Sequence, residues 1–332
     1  MKTNDFTSGA NPLGPSNKAK NAIRSNVRHI SSSDTPYLKR LKSYIVKTEG
    51  IDEACIFLGC GSTAILNTIL ELSRPGKILI PHPVSRRYST ILSRHGRESS
   101  ELRLKWENNF ELNTEGFCRA MKGCEAAILP SPHDMAGSVI PSEEALKIAD
   151  EAERLGIHLI LDESYGEYTV MPTLSPRITR SGKAVIVRTF STFHALGGLR
   201  LGYAMGPPDL LHMMEASLDP STINSLAPQA AMASMKDKGY RHRTLLFIET
   251  EKAYLAKKLS DIKGVKCHVS PTNILVIRLQ KEHRYVGSMF KKHHMLVQLF
   301  TDENGNMCIS FAVRARRHNA NFARVLKRIM EA

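Results

Sequence analysis

The stretch VRTFSTFHALGGLRLGY, residues Val187 to Tyr203, joins an apolar run to a turn of small residues and a glycine-rich approach to an arginine. A guanidinium such as that of Arg200 binds phosphate through paired hydrogen bonds, and Ser191 and Thr192 precede it with hydroxyl groups. His194 has the side chain of a general base, although a histidine in such a turn is also commonly a hydrogen-bonded structural residue. The stretch therefore predicts the end of a buried strand beside an anion-binding turn.

The composition is that of a globular protein with more than one domain. The chain has 332 residues, of which 42% are hydrophobic and 23% charged. No apolar run approaches the ~20 residues that span a bilayer, and the N-terminus lacks the apolar segment of a signal peptide. We therefore expect a cytoplasmic protein without a membrane contact. Six scattered cysteines without metal-ligand spacing predict free thiols and no metal site.

The formal net charge of +14 favours an anionic partner, which is a phosphorylated metabolite, a nucleic acid or a membrane surface. Solvated helix faces are the alternative, because the basic stretch from Tyr37 to Lys47 carries apolar residues at helical spacing. The sequence contains no motif that reads nucleic acid. Nucleic acid is therefore disfavoured, and charge alone does not decide between a phosphorylated small molecule, a membrane surface and solvated helix faces.

Short apolar runs that end in turn residues alternate with helical patterns over the first two thirds of the chain. The runs lie at 54–59, 77–82, 126–131, 157–162, 184–189 and 200–205. This alternation predicts a doubly wound, mostly parallel sheet, and four later apolar runs predict a smaller α/β domain. We expect a large domain over residues 40–235 and a small domain formed by 1–39 together with 236–332.

The first of these runs leads into a glycine turn, LGCGSTAI, at residues 58–65. Gly61 allows backbone amides to approach an anion, and Ser62 and Thr63 open a helix whose N-terminus adds donors and a positive dipole. A strand–glycine–helix turn is also common for steric reasons alone. The turn is a candidate phosphate site.

Two further strand ends carry polar side chains, and ligands of open α/β sheets bind at such ends. In LILDESYGEY, Asp162 has the carboxylate to pair with a protonated ring nitrogen, and Tyr165 has a phenol to donate to a ring oxygen. In LPSPHDMAG, His133 and Asp134 follow another strand. The alternatives are a helix cap for Asp162 and a plain loop for the second motif.

Together these motifs resemble the fold type I pyridoxal-phosphate enzymes, in the branch of histidinol-phosphate aminotransferases and threonine-phosphate decarboxylases. The resemblance runs from GANPLGPS at 9–16 to VRARRHN at 313–319. It implies an aminotransferase-type α/β fold, a homodimer and pyridoxal 5′-phosphate as cofactor. The residues that it places around the cofactor are, for the phosphate, Gly61, Ser62, Thr63, Ser191 and Arg200, and, for the ring, Asp134, Asp162 and Tyr165.

The chain departs from the family's pattern at groups that carry the chemistry. In the ungapped register from Phe190 to Arg200, Thr192 stands where the family has the lysine that forms the Schiff base. A threonine hydroxyl is not basic near neutral pH and forms no imine. The other departures are Asp134 for the ring-oxygen asparagine, Ser85 for the stacking aromatic residue, Cys308 for the carboxylate-binding arginine and residues 29–36 for the tyrosine of the neighbouring subunit.

Three functions are compatible with this pattern. The one that we predict is a degenerate aminotransferase that holds a phosphorylated ligand without a covalent bond and without standard transamination. That ligand is pyridoxal or pyridoxamine 5′-phosphate or another phospho-metabolite, and a cofactor-free protein also fits. The second is an active cofactor-dependent enzyme in which His194 or His133 serves as the base. The third is a regulatory or structural partner of an active relative.

Overall fold

The computed structural model describes residues 3–31, 36–170, 172–217, 222–280 and 283–331. The strands are β1 (Asn4–Asp5), β2 (Ile56–Gly59), β3 (Ile78–His82), β4 (Ser99–Arg103), β5 (Ala126–Pro130), β6 (His158–Asp162), β7 (Ala184–Thr189), β8 (Gly202–Met205), β9 (Val265–Val269), β10 (Ile274–Leu279), β11 (Met295–Leu296), β12 (Gln298–Thr301) and β13 (Met307–Ala312). The α-helices are α1 (Asn17–Asn26), α2 (Tyr37–Glu49), α3 (Ser62–Leu72), α4 (Arg86–Arg94), α5 (Thr114–Met121), α6 (Ser142–Leu155), α7 (Ser175–Ile178), α8 (Pro208–Ser217), α9 (Ala227–Met235), α10 (Lys238–Ser260), α11 (His283–Lys292) and α12 (Arg316–Glu331).

A seven-stranded sheet in the order β2-β8-β7-β6-β5-β3-β4 forms the centre of the larger part of the chain. The strands from β7 through β6, β5 and β3 to β4 are parallel, as predicted for most of the sheet. The run at 200–205 behaves differently, because β8 is antiparallel to both of its neighbours. The sequence analysis also missed β4, an edge strand whose residues are alternately exposed and half-buried.

Helices cover both faces of this sheet, which is the doubly wound arrangement that the sequence predicts. Successive residues of β5 show it, because Ala127 and Leu129 belong to one buried cluster while Ala126 and Ile128 belong to another. Side chains alternate between the two faces of a strand, so both faces of a central strand must be apolar. This is why the central strands read as continuous apolar runs.

A second, antiparallel sheet in the order β12-β13-β10-β9 packs with α10 and α12. The run HMLVQLF forms two strands, and its first part, β11, pairs in parallel with β1 near the N-terminus. Phe6 joins the core of this second region, whereas Ala19 of α1 lies in the core of the large sheet.

The division of the chain near residues 40 and 235 remains a prediction. Within the described residues, no helix is long and apolar enough to cross a membrane.

The close contact between β8 and the start of α3 sets the shape of the predicted phosphate turn. A Cβ atom on Gly202 would lie 2.8 Å from the carbonyl oxygen of Arg188 and 2.8 Å from the amide nitrogen of Ser62. Both are backbone atoms, which no side-chain rotation can move away. Gly198, four residues earlier, has no atom within 4 Å of its own Cβ position.

We therefore predict that Gly202→Ala lowers the free energy of unfolding by roughly 1–3 kcal/mol, because the methyl group forces the backbone apart. Gly198→Ala is the matched control and should change it by less than about 0.5 kcal/mol. Urea unfolding followed by circular dichroism measures both values. Equal stability of the two variants would contradict the close contact.

Candidate functional site

A cavity of about 780 Å³ lies at the carboxyl ends of the central strands. The sequence-predicted residues that line it are Ser62, Thr63, Asp134, Tyr165, Ser191, Thr192 and Arg200. They come from separate loops, and the parallel arrangement brings these loops to one edge of the sheet. Further lining residues that the sequence analysis did not single out include Arg86, Arg87, Ser164 and Thr189.

One end of the cavity combines a helix N-terminus with an arginine. Gly61 precedes α3 with a φ of 87°, in the left-handed region that favours glycine, and gives the helix no side-chain cap. A Cβ on Gly61 would lie 2.9 Å from Nη2 of Arg200, so the guanidinium rests directly against the turn. Ser62 and Thr63 follow in the first turn of the helix. Backbone amides, hydroxyls and a guanidinium in this arrangement suit a phosphate group.

Ser191 completes this end of the cavity from the other side. The hydroxyl of Thr189 donates a hydrogen bond to Oγ of Ser191 over 3.0 Å, and the Ser191 amide donates to the Thr189 hydroxyl over 3.1 Å. Because Ser191 accepts the first of these bonds, its own hydroxyl proton is available to a ligand oxygen. The name phosphate cradle is used below for Gly61, Ser62, Thr63, Ser191 and Arg200.

At the other end, the carboxylate of Asp162 is already bound by the protein. Nη2 of Arg87 lies 2.8 Å from Oδ2 of Asp162, and the hydroxyl of Tyr88 donates to the same oxygen over 2.9 Å. The backbone amide of Ser164 donates to Oδ1 over 2.9 Å. Burial alone lowers the pKa of a guanidinium, but the Asp162 carboxylate raises the pKa of Arg87 above its ordinary value. The Arg87 guanidinium therefore stays positively charged.

Thr192 lies between the two ends of the cavity. Its hydroxyl donates a hydrogen bond to the backbone carbonyl of Ser164. Its own carbonyl accepts from the amide of Asn11, which ties the GANPLGPS segment to this turn. Among the residues that the structure describes, no lysine lines the cavity.

Three polar atoms in the wall near Asp162 are buried without a hydrogen-bond partner: Oγ of Ser85, Nε of Arg87 and Oδ1 of Asp134. Ser85 is 5% exposed and Asp134 is 7% exposed. Burial raises the pKa of Asp134 to about 6, against the opposing effects of the neighbouring Ser85 hydroxyl and of Arg87. Buried polar groups without partners are uncommon in proteins and mark places where a ligand or solvent completes the structure.

The two candidate bases do not face the cavity. His194 is buried, with Nδ1 2.8 Å from the Ser234 hydroxyl and Nε2 2.8 Å from a carboxylate oxygen of Glu167. His133 has Nδ1 accepting from the amides of Met135 and Ala136, and burial lowers its pKa to about 4. Neither residue lines the cavity. In both cases hydrogen bonds within the fold hold the ring, which is the structural alternative noted for His194.

The remaining predicted positions are distributed as follows. Tyr165 lines the cavity, and burial raises the pKa of its phenol, so it stays protonated at neutral pH. Its ring lies so close to Gly9 that a Cβ there would be 2.1 Å from the hydroxyl oxygen.

Cys308 is buried in β13 and does not line the cavity. Of the predicted tyrosine position at 29–36, residues 32–35 lie outside the described residues.

Arg87 is the site residue that the sequence analysis missed. The signal that could have found it is the pair of arginines in HPVSRRY, directly after a strand end that faces the same edge as Asp162. The structure places both arginines in the first turn of α4. The sequence does not show that Arg87 turns inward while Arg86 is exposed.

Comparison with known proteins identifies the family. The model for the family described as aminotransferase class I and II matches residues 2–329. The chain belongs to the class I and II aminotransferase family. A putative threonine-phosphate decarboxylase and a histidinol-phosphate aminotransferase, both from Caldanaerobacter subterraneus subsp. tengcongensis, are similar to it. The decarboxylase is 27% identical over 82% of this chain and 75% of its own length. The aminotransferase is 26% identical over 83% of this chain and 78% of its own length.

Solved structures show the same fold. The histidinol-phosphate aminotransferase of Sinorhizobium meliloti in complex with pyridoxal-5′-phosphate superposes with a TM-score of 0.89, at 19% identity over 100% of this chain and 92% of that one. The L-threonine-O-3-phosphate decarboxylase of Porphyromonas gingivalis gives 0.82, at 20% identity over 99% and 100%. The predicted fold type I aminotransferase architecture, with its large, mostly parallel sheet, is thus confirmed.

The residues of this aminotransferase-family chain fit the family's cofactor, pyridoxal phosphate, only in part. The phosphate cradle offers amides, hydroxyls and a guanidinium. The opposite end, formed by Ser85, Arg87, Asp134 and Asp162, is called the ring end below. It does not fit the cofactor, because Arg87 already pairs with the carboxylate that the resemblance assigns to the ring nitrogen. Thr192 has no amine, and Asp134 places a carboxylate where the resemblance implies a ring-oxygen donor. The site therefore differs from a complete cofactor site at its ring end.

We predict that Arg87→Gln lowers the free energy of unfolding by about 3 kcal/mol, because it leaves the Asp162 carboxylate buried without its cation. Arg86→Gln is the matched control on the same helical turn, and it should have little effect because Arg86 is exposed. Adding Asp162→Asn to Arg87→Gln should recover part of the loss in a double-mutant cycle. Additive losses would show that the two groups do not interact.

We also predict that Asp134→Asn stabilises the protein above pH 7 by up to about 3 kcal/mol. The native state keeps the Asp134 proton up to pH of about 6, whereas the unfolded chain loses it near 3.8. Wild-type stability therefore falls as the pH rises through this window, and the gain from asparagine should vanish near pH 4. Urea unfolding between pH 4 and 8 measures it, with the exposed Asp150→Asn as control. A gain that is independent of pH would contradict the raised pKa.

Proposed function

We propose that this chain binds a phosphorylated small molecule non-covalently in the cavity and does not carry out standard transamination. The observation that carries the proposal is Thr192, whose hydroxyl is engaged with the Ser164 carbonyl beside a phosphate cradle that keeps all its polar groups. A hydroxyl neither forms a Schiff base nor carries a proton between carbon atoms at neutral pH. A reaction that needs a lysine amine is therefore excluded, whereas the binding of a phosphate group needs only the cradle.

The alternative of an active enzyme requires a base that reaches the ligand. His194 and His133 are both held by hydrogen bonds inside the fold and do not line the cavity. Asp134, with its pKa of about 6, is the titratable group that lines the cavity near the ring end. It is an acceptor for a ligand proton, but it supplies no covalent anchor. The geometry supports binding better than turnover.

A homodimer and a cytoplasmic location belong to the same proposal. The homodimer follows from family membership, in which the subunits typically pair. The role of a partner to an active relative has no surface among the described residues that favours it over ligand binding. The net charge of +14 agrees with an anionic ligand.

The proposal predicts that purified protein, incubated with pyridoxal 5′-phosphate and reduced with borohydride, carries no adduct on any residue that lines the cavity. Peptide mass spectrometry locates adducts, and surface lysines labelled at random serve as the internal control for reduction. An adduct on a residue in the cavity, together with transamination of an amino acid, would overturn the proposal.

Phosphate binding provides the second measurement. We predict that n-butyl phosphate binds the protein in calorimetric titration and that Arg200→Gln weakens this binding roughly 10- to 100-fold, since a charge-assisted hydrogen bond is lost. Arg177→Gln is the control, because Arg177 is exposed and pairs with Asp150 outside the cavity. Binding that is unaffected by Arg200→Gln would place the phosphate elsewhere.

A further inference from the structure

The ring end of the cavity has its own chemistry, and it points to the kind of molecule that the phosphate cradle holds. We propose that the ligand is a small polyol phosphate, with its phosphate in the cradle and its hydroxyl groups against Ser85, Arg87 and Asp134. This inference rests on the proposed function, because both use the same cradle. It adds the class of the ligand.

The three unpartnered polar atoms define what the ligand must offer. Nε–H of Arg87 is a donor, Oδ1 of Asp134 is an acceptor, and the hydroxyl of Ser85 is both. An alcohol group is itself both donor and acceptor, so two or three neighbouring hydroxyls satisfy all of these atoms. An alkyl chain or a bare aromatic face would leave them buried and unpaired, which costs binding free energy.

The ion pair between Arg87 and Asp162 excludes a basic ring from this end. A protonated ring nitrogen would have to displace the guanidinium, whose Nη2 lies 2.8 Å from the Asp162 carboxylate. Two cations do not share one buried carboxylate without strong repulsion. An uncharged polyol leaves the ion pair in place and uses only the atoms that the pair leaves free. The wall therefore favours a neutral hydroxylated group over a pyridine ring.

The position of Asp134 supports the same choice. Burial raises its pKa to about 6, so at neutral pH the ligand-free protein holds an ionised carboxylate with one unpartnered oxygen. Such a group destabilises the fold, and it gains hydrogen bonds when a ligand hydroxyl donates to it. Proteins commonly retain destabilising polar groups at sites where a ligand supplies the missing partner.

The charges of the cavity suit the phosphate at the opposite end. Arg86 and Arg200 line the cavity without a salt-bridge partner among the described residues, whereas Arg87 is neutralised by Asp162. The unpaired guanidinium groups attract the anionic end of the ligand. The volume of about 780 Å³ is ample for a phosphate and a short chain of carbon atoms.

The test compares erythritol 4-phosphate with n-butyl phosphate by calorimetric titration, because the two share a phosphate and four carbon atoms and differ in their hydroxyls. We expect erythritol 4-phosphate to bind the wild-type protein about 10-fold more tightly or better. Asp134→Leu should abolish this preference, so that the two phosphates bind with similar affinity, because the loss of the negative charge affects both phosphates alike. Ser85→Ala should weaken it several-fold, whereas Ser89→Ala, at an exposed serine that lines the same cavity, should not.

The outcomes separate this inference from the proposed function. Equal affinity of the wild-type protein for both phosphates would overturn the polyol assignment and leave phosphate binding intact. Tighter binding of pyridoxamine 5′-phosphate than of erythritol 4-phosphate would also overturn it. If neither phosphate binds, and inorganic phosphate does not bind either, the proposed function fails and this inference fails with it. Arg87→Gln should strengthen the binding of pyridoxamine 5′-phosphate, since it frees the Asp162 carboxylate.

Discussion

The ion pair between Arg87 and Asp162 fixes the arrangement of the whole site. Asp162 ends β6, and its two oxygens hold Arg87 and Tyr88 from α4 and the amide of Ser164 from the next turn. The carbonyl of Ser164 in turn accepts the hydroxyl of Thr192. One chain of short contacts thus joins a helix, a strand end and a loop around a buried carboxylate. Without its cation, that carboxylate would destabilise all three.

The two ends of the cavity have separate physical requirements, because backbone geometry sets one of them and side chains set the other. The phosphate cradle depends on backbone geometry at Gly61 and on the tight packing of Gly202 against Ser62, so it is built into the fold. The ring end depends on side chains from loops, from the start of α4 and from Asp162 at the end of β6. A fold can therefore supply an anion site independently of the reaction that the rest of the cavity serves.

The sequence predicted the architecture where local pattern and tertiary structure agree. The apolar runs gave six strands of the large sheet, and the strand ends gave seven of the residues that line one cavity. The antiparallel direction of β8 was not readable, since a strand buried on both faces has the same pattern in either direction. β4 was missed because its polar, half-exposed residues do not form an apolar run. The inward turn of Arg87 and the burial of His194 away from the cavity depend on side-chain directions within turns, which spacing alone does not give.

The residues at the ring end depend on one another, so an amine at position 192 would not by itself make this end suit a basic ring. A lysine amine forms a Schiff base only when it is unprotonated, and neighbouring cations and burial favour that form. At position 192 such an amine would face a wall with Arg86, Arg87 and Arg200, but Arg87 would still hold the carboxylate that a basic ring needs. An amine at this position alone would therefore leave the ring end unable to bind a basic ring. Removing Arg87 alone leaves a buried carboxylate without a cation and no amine beside it. Thr192, Arg87 and Asp134 together suit the ligand proposed above, which brings a phosphate, no ring charge and several hydroxyl groups.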